Sequence, residues 1–507
     1  MFCRKYLFGR TNGQGRADSE SIHVTAGDLY QPEKGYGFVT EENRREQVLL
    51  QLPELNSAFD TVYWYRNEDL SRVEEDDFGC FLDSWGEIAR LEEAVGEVFP
   101  GEPRRIPLSF KLDVPRPGNY KVCVTICTPR PMEDVLIFTG RRRLGYRGTV
   151  PALGNSHVCD GLPGEICGGF TYTMSVNVCD IIPRGLTERH EDKTLDITIL
   201  AECPRISKIT VEEMQCPTLF LAGDSTVTDQ SAEYPYAPGT SYAAWGQMLS
   251  AYLKPLAAVS NHAHSGLTTA SFRQEGHYEI VEQYMRPGDY LLIQFAHNDQ
   301  KLETLKAEEG YKANLLLYIR ECRARGVFPI LVTPLARNTW KGNDGSYNDL
   351  LEEYAAVCIR LGEQENVPVV DLHGRSMECI MRMGLEASKA YFFPVDYTHS
   401  NDYGAYFMAG LVAEEIGRVC SRRTEPEYRF LGDCLTEGFG PWPVPDRIVP
   451  LAKPEKYGNV PNPEEVQVLS EIERPLEPAD RAAVLDMVIK TARFFPTNVY
   501  NDMFTDV

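Results

Sequence analysis

The sequence predicts two architectures in series, a β-rich region followed by an α/β region built on a parallel sheet. Three patterns carry that expectation. Residues 1–212 hold short alternating stretches and few of helical period. Residues 216 to about 420 alternate apolar runs with helical segments, as a parallel sheet with helices on both faces requires. From 424 onward, prolines at 441, 443, 445, 450, 454, 461 and 463 forbid long helices and central strands. The expected divisions are an all-β sandwich over 1–212, an α/β domain over 213–423 and a Pro-rich tail over 424–507.

The bulk numbers fit this plan. A chain of 507 residues is long enough for two to three domains, and 43% hydrophobic with 25% charged residues is ordinary globular composition. The net charge of −23 repels phosphate backbones and argues against nucleic-acid binding. It also weakens long-range attraction to polyanionic polymers such as pectins. No apolar run approaches the roughly 18 residues of a membrane span. The opening Met-Phe-Cys-Arg-Lys turns polar too soon for a signal peptide. The 14 cysteines include no CxxC pair and are expected to be mostly reduced, buried thiols. Both points suggest a cytoplasmic protein. A cell-surface or secreted location is the alternative if a signal has been trimmed.

In the first region, residues 110–126 read as two strands around Pro117-Gly118-Asn119, and 171–178 alternate strictly. Residues 195–200 and 206–211 look like closing strands. Strands at this spacing suggest a sandwich. The basic run Arg141-Arg142-Arg143 and the acidic run at 74–77 are expected in solvated loops. Tyr36, Trp64 and Trp85 could face a sugar as in a carbohydrate-binding module, although aromatics are more often core.

In the second region the expected strands are 219–222, 257–261, 290–295, 328–333 and 367–371. The expected helices lie near 243–253, 276–285, 307–325, 347–365 and 403–418, with Gly326 just past one of them as a C-cap. In the tail, 478–490 reads as an amphipathic helix. With the Phe504-Thr-Asp-Val507 that ends the chain, 478–507 resembles the first part of an S-layer-homology repeat.

Four motifs fall in loops of the α/β region: Gly223-Asp224-Ser225, Asn261-His-Ala-His-Ser-Gly266, Ala296-His297-Asn298-Asp299 and Asp396-Tyr-Thr-His399. Gly-Asp-Ser alone is an ordinary turn. A serine nucleophile, however, needs a base and a group to orient that base. His399 can be the base, and Asp396, three residues earlier, can hold it. A tetrahedral oxyanion needs fixed donors, which the Ser225 N–H, the Gly266 N–H and the Asn298 amide could supply. His262 and His264 have no carboxylate or cysteine nearby to complete a zinc set and are expected to be pocket or core residues.

These motifs resemble the SGNH (GDSL) hydrolases. The fuller stretches Phe220-Leu-Ala-Gly-Asp-Ser-Thr-Val227, Tyr242-Ala-Ala-Trp-Gly-Gln-Met-Leu249, Gly288-Asp-Tyr-Leu-Leu-Ile-Gln-Phe-Ala-His-Asn-Asp299 and His399-Ser-Asn-Asp-Tyr-Gly-Ala405 are similar to the rhamnogalacturonan acetylesterases, carbohydrate esterase family 12. The resemblance implies a flavodoxin-like three-layer α/β/α fold and an accessory β-sandwich of galactose-binding type. It implies Ser225 as nucleophile, Ser225, Gly266 and Asn298 as oxyanion donors, and Asp396 with His399 as the dyad. Asp224 and His297 are candidates for substrate binding. No metal or cofactor is implied, and the implied partner is an acetylated polysaccharide or oligosaccharide. Two positions depart from the pattern. Ala296 replaces the family's usual glycine, a small change, and Leu267-Thr268 stands where the family often has Arg-Ser, removing a potential anion contact.

The reading is therefore a serine esterase that removes O-acetyl groups from a pectic, rhamnogalacturonan-type glycan. The alternatives are an SGNH esterase acting on xylan, lipid or thioester, and a non-catalytic glycan-binding or surface-attachment protein.

Overall fold

The computed structural model describes residues 2–10, 21–39, 72–95, 98, 101, 103–153, 169–182, 189–230, 232, 235–341, 346–394 and 396–450. The chain forms two units. The first runs to Thr218 and adds Ser231–Ala237 and Leu253–Ser260. The second takes Leu219–Gln230, Pro238–Tyr252 and the chain from Asn261.

In the first unit, β-branched and aromatic residues alternate along short strands that gather into two five-stranded sheets. One orders Phe170–Val178, Gly118–Ile126, Lys208–Met214, Cys3–Phe8 and Ser21–Val24. The other orders Tyr36–Val39, Leu108–Asp113, Thr194–Leu200, Met132–Thr139 and Arg143–Val150. The pairing is antiparallel except where Cys3–Phe8 meets Ser21–Val24. Tyr6 and Phe8 of the first sheet pack edge-on against Phe110 of the second, with ring centroids 5.4 and 4.9 Å apart. These contacts form a sandwich core.

The two strands expected around Pro-Gly-Asn are present, and they enter different sheets. Two expectations are corrected here. Arg142 is fully buried, and Arg143 donates to the Val259 carbonyl at 2.7 Å, so the basic run is not a solvated loop. The acidic run contains the strand Glu74–Asp76, where Asp76 accepts from buried Arg205. Tyr36 lies half-buried beside Tyr6, while Trp85 is exposed on the helix Ser84–Val95, which the sequence reading had not expected. Trp64 lies outside the described residues.

A further five-stranded sheet is made of β1 (Thr218–Gly223), β2 (Ala258–Asn261), β3 (Tyr290–Gln294), β4 (Phe328–Val332) and β5 (Val369–Val370). The order is β2-β1-β3-β4-β5, the flavodoxin-like arrangement. The pairings β1–β3, β3–β4 and β4–β5 are parallel. Along β2 the amides of Ala258, His262 and His264 bond successively to the carbonyls of Pro217, Leu221 and Gly223, which is also parallel. The strands read as continuous apolar runs because both faces are covered.

The helices of eight residues or more that flank the sheet are α1 (His277–Tyr284), α2 (Lys312–Ala324), α3 (Glu352–Glu365), α4 (Leu372–Ser388), α5 (Asp402–Cys420) and α6 (Pro426–Asp433). Phe220, Ala222, Leu291, Ile293 and Leu331 from one sheet face share a core with Val281 of α1, Ile319 of α2 and Val357 of α3. The alternate residues Leu219, Leu221, Leu292 and Ile330 are also buried, and α5 packs against β5. Helix α4 was not expected, because its period is broken at Gly384, where φ is +75°. Helix α6 lies inside the tail expected to be irregular; it starts with Pro426 in its first turn, where proline is tolerated. The proposed helix at 478–490 and the S-layer-like repeat lie outside the described residues. Among the described residues, no helix is long and apolar enough to cross a membrane. Most of the described cysteines are buried.

Candidate active site

The four motifs meet at the carboxyl end of the sheet, where open α/β folds bind ligands. At the end of β1, Gly223 is required by close packing: a Cβ there would stand 2.6 Å from Val227 and 2.9 Å from the Gln294 carbonyl. The chain then turns sharply. Both the Val227 and Thr228 amides donate to the Asp224 carbonyl at 3.1 Å, and Asp224 Oδ1 accepts the Thr226 amide and hydroxyl at 2.9 and 2.8 Å. Ser225 stands at this turn with only 8% of its surface exposed. Its carbonyl accepts from Gln230, which is itself held through Gln247.

His399 arrives on the segment just before α5, which Asn401 caps by accepting the Gly404 amide. Its Nε2 is 2.7 Å from Ser225 Oγ, and its Nδ1 is 2.9 Å from Asp396 Oδ2. The other oxygen of Asp396 accepts the amides of Thr398 and His399 at 2.8 and 2.9 Å. Burial pushes the Asp396 carboxyl up, but the His399 charge and these hydrogen bonds together hold it below its ordinary value. It is therefore ionised through the neutral range. An ionised Asp396 accepts a hydrogen bond from Nδ1–H, which leaves Nε2 as an acceptor facing the serine hydroxyl.

The donor side is built from the two loops after β2 and β3. Gly266 is exposed and has φ of +86°, a backbone conformation that favours glycine. Asn298 commits one amide hydrogen to the Leu267 carbonyl at 3.1 Å, and its Oδ1 accepts from Lys301 at 3.2 Å. The second amide hydrogen has no partner among the described residues, and neither do the N–H groups of Ser225 and Gly266. These are three donors of the kind that an oxyanion needs.

Asp224 and His297, the candidates for substrate binding, pair with each other and are both buried. His297 Nε2 lies 2.9 Å from the Leu335 carbonyl, and Nδ1 lies 3.3 Å from Asp224 Oδ2. A carbonyl only accepts, so Nε2 carries a proton. Burial lowers the pKa of His297 against the pull of Asp224. Burial raises that of Asp224, but His297 and Thr226 outweigh it and hold the carboxyl low. Both residues brace the loops rather than line open space. His262 is buried with its ring stacked on Phe220, as expected of a core histidine.

Several contributors escaped the sequence reading. Arg337, just past β4, is buried; it donates to the His297 carbonyl at 3.3 Å, and burial pushes it down to about 10. Gln294 links Trp245 to Thr226, at 2.8 and 2.6 Å. An arginine five residues after the end of a buried strand is a weak local signal for the first. Leu267 is buried in the core beside Phe272, so the position where the family often has arginine is structural here.

Ala296 corrects another expectation. Its φ is +132° and it is fully buried, so the alanine at the family's usual glycine carries real backbone strain. Ala296→Gly is expected to change unfolding free energy by no more than about 1 kcal/mol, because strain relief offsets the lost methyl and the added chain entropy. Ala296→Val is expected to cost about 3 kcal/mol or more, since a β-branched residue fits neither that φ nor the packed core. Chemical denaturation of the two variants checks both values.

Residues 221–405 match the family described as GDSL-like Lipase/Acylhydrolase. The chain is 35% identical over 212 residues to the rhamnogalacturonan acetylesterase RhgT of Bacillus subtilis (strain 168), covering 39% of this chain and 88% of that one. It is 31% identical over 408 residues to the uncharacterized esterase YxiM of the same organism, covering 80% and 89%. A rhamnogalacturonan acetylesterase of Emericella nidulans is 23% identical over 252 residues, covering 43% of this chain and 93% of that one. The relative that spans both regions is an esterase without a stated substrate, whereas the acetylesterases align with only part of the chain. The chain belongs to the GDSL-like lipase/acylhydrolase family and is an SGNH-type esterase or acylhydrolase.

Proposed function

We propose that the protein is a serine esterase that removes O-acetyl groups from a pectic, rhamnogalacturonan-type glycan or its oligosaccharides. The observation that carries the chemistry is the continuous relay from Ser225 Oγ to His399 Nε2 and from His399 Nδ1 to Asp396. Ser225 attacks the ester carbonyl while His399 takes its proton. The developing oxyanion is met by the Ser225 and Gly266 N–H groups and by Asn298. As the tetrahedral species collapses, His399 passes the proton to the departing sugar hydroxyl and an acetyl-enzyme remains. His399 then deprotonates a water, which attacks the acetyl group and releases acetate.

The glycan part of the proposal rests on the similarity to the two rhamnogalacturonan acetylesterases. It also draws on Lys301, an exposed cation bonded to Asn298 in a chain of net charge −23. A uronate next to the acetylated sugar would find a counter-charge there, even though Leu267 supplies none.

The test is acetate release from acetylated pectin, acetylated xylan and small acetylated sugars, together with a chain-length series of p-nitrophenyl esters. Pectin is expected to be turned over fastest, with little activity beyond propionate. Faster turnover of xylan would move the substrate to a neutral glycan. A preference for long acyl chains would replace the reading with a lipid or thioester esterase.

A further inference from the structure

The oxyanion loops are joined by a carboxyl group that the catalytic relay does not use. Asp299 follows Asn298 directly and has no exposed surface. Its Oδ1 accepts both the amide of Thr269, at 3.0 Å, and the Thr269 hydroxyl, at 2.5 Å. Its Oδ2 is buried without a hydrogen-bond partner among the described residues. Thr269 lies three residues beyond Gly266. Its hydroxyl also accepts from Asn314 at 3.0 Å, and its carbonyl accepts from Tyr318 at 2.8 Å. The loop carrying Gly266 is thus tied to the loop carrying Asn298 at two points, through Thr269–Asp299 and through the Asn298–Leu267 bond.

We propose that Asp299 is a positioning residue of the oxyanion pocket, which holds the Gly266 loop at a fixed distance from Asn298 through its two hydrogen bonds from Thr269. This rests on the esterase reading above. The surroundings of the group favour its uncharged form. The ionisable residues that face it are Asp224, Tyr311, Tyr318 of α2, and Tyr354 and Cys358 of α3, none of them cationic. Burial, with the Asp224 charge adding to it, outweighs the Thr269 hydrogen bonds and pushes the Asp299 carboxyl up to about 7. An unpaired Oδ2 is tolerable on a neutral carboxylic acid and costly on a carboxylate.

The sign of the pH effect follows. A carboxyl with a raised folded-state pKa favours the fold fully only in acid. As pH rises above its unfolded value of about 4, the fold must hold a proton that the unfolded chain releases, and stability falls until the group ionises near 7. Asparagine keeps the acceptor oxygen toward Thr269 and has no charge to bury.

The test compares the wild type with Asp299→Asn, Asp299→Ala and Thr269→Val. Asp299→Ala is expected to lower kcat by about 10- to 100-fold with little change in KM, because only the transition state uses the pocket geometry. Asp299→Asn should restore most of that loss. Thr269→Val, which removes one of the two bonds from the opposite side, should lower kcat about threefold and guards against an alanine variant that fails to fold. The Tm of Asp299→Asn minus that of the wild type should increase as pH rises from 4 to 7. A kcat loss in Asp299→Asn as large as in Asp299→Ala, or a Tm difference flat with pH, overturns the proposal. An inactive wild type would count against the esterase reading instead, and the Tm comparison would still decide the state of Asp299.

Discussion

Ser225→Ala is expected to lower kcat for p-nitrophenyl acetate by about 10,000-fold or more while leaving KM and the unfolding midpoint nearly unchanged. The substitution removes one hydroxyl whose side-chain partner among the described residues is His399, 2.7 Å away. The turn itself is held by Asp224, Thr226 and Gln230 and does not use that hydroxyl. The effect therefore falls on the reaction and not on the fold. Turnover kept within tenfold of the wild type would remove Ser225 from the mechanism.

The second large effect is Asp396→Asn. Asp396 Oδ1 accepts two backbone amides, so an asparagine must place its oxygen there and turn its NH2 toward His399 Nδ1. The ring must then accept at Nδ1 and carry its proton on Nε2. That proton points at Ser225, where an acceptor is needed. The fold is preserved and the base is in the wrong tautomer, so kcat at neutral pH is expected to fall by about 1,000- to 10,000-fold. Asp396→Ala, which leaves the tautomer free, is expected to lose less than Asp396→Asn. Steady-state kinetics of the two variants side by side test this ordering, and equal losses would show that orientation, not tautomer, dominates.

What could be read from the sequence followed the range of each signal. The sheet was legible because buried parallel strands are continuous apolar runs; 219–222 and 290–295 matched β1 and β3 to within a residue or so at each end. The Ser225, Asp396 and His399 constellation was legible because a loop after a strand and a three-residue Asp–His spacing are local patterns. Signals that depend on tertiary packing were not legible. Hairpin spacing around Gly118 says that two strands are close in sequence, but not that they enter different sheets. Three consecutive arginines read as surface, yet Arg142 is enclosed. The bracing pairs Asp224–His297 and Thr269–Asp299 join residues 73 and 30 positions apart, and no periodicity announces them. Ala296 differs from the family's usual glycine by one methyl group, but the constraint is its φ of +132°, which a sequence does not display.

The most direct test of the central claim is to trap the acyl-enzyme. The protein is mixed with excess p-nitrophenyl acetate, quenched in acid within the burst phase and digested for peptide mass spectrometry. The account predicts one acetyl group, located on Ser225, absent from Ser225→Ala and removed on longer incubation. Acetyl transfer to another residue, or steady turnover in which Ser225→Ala hydrolyses as fast as the wild type and no acetyl-serine forms, would contradict it.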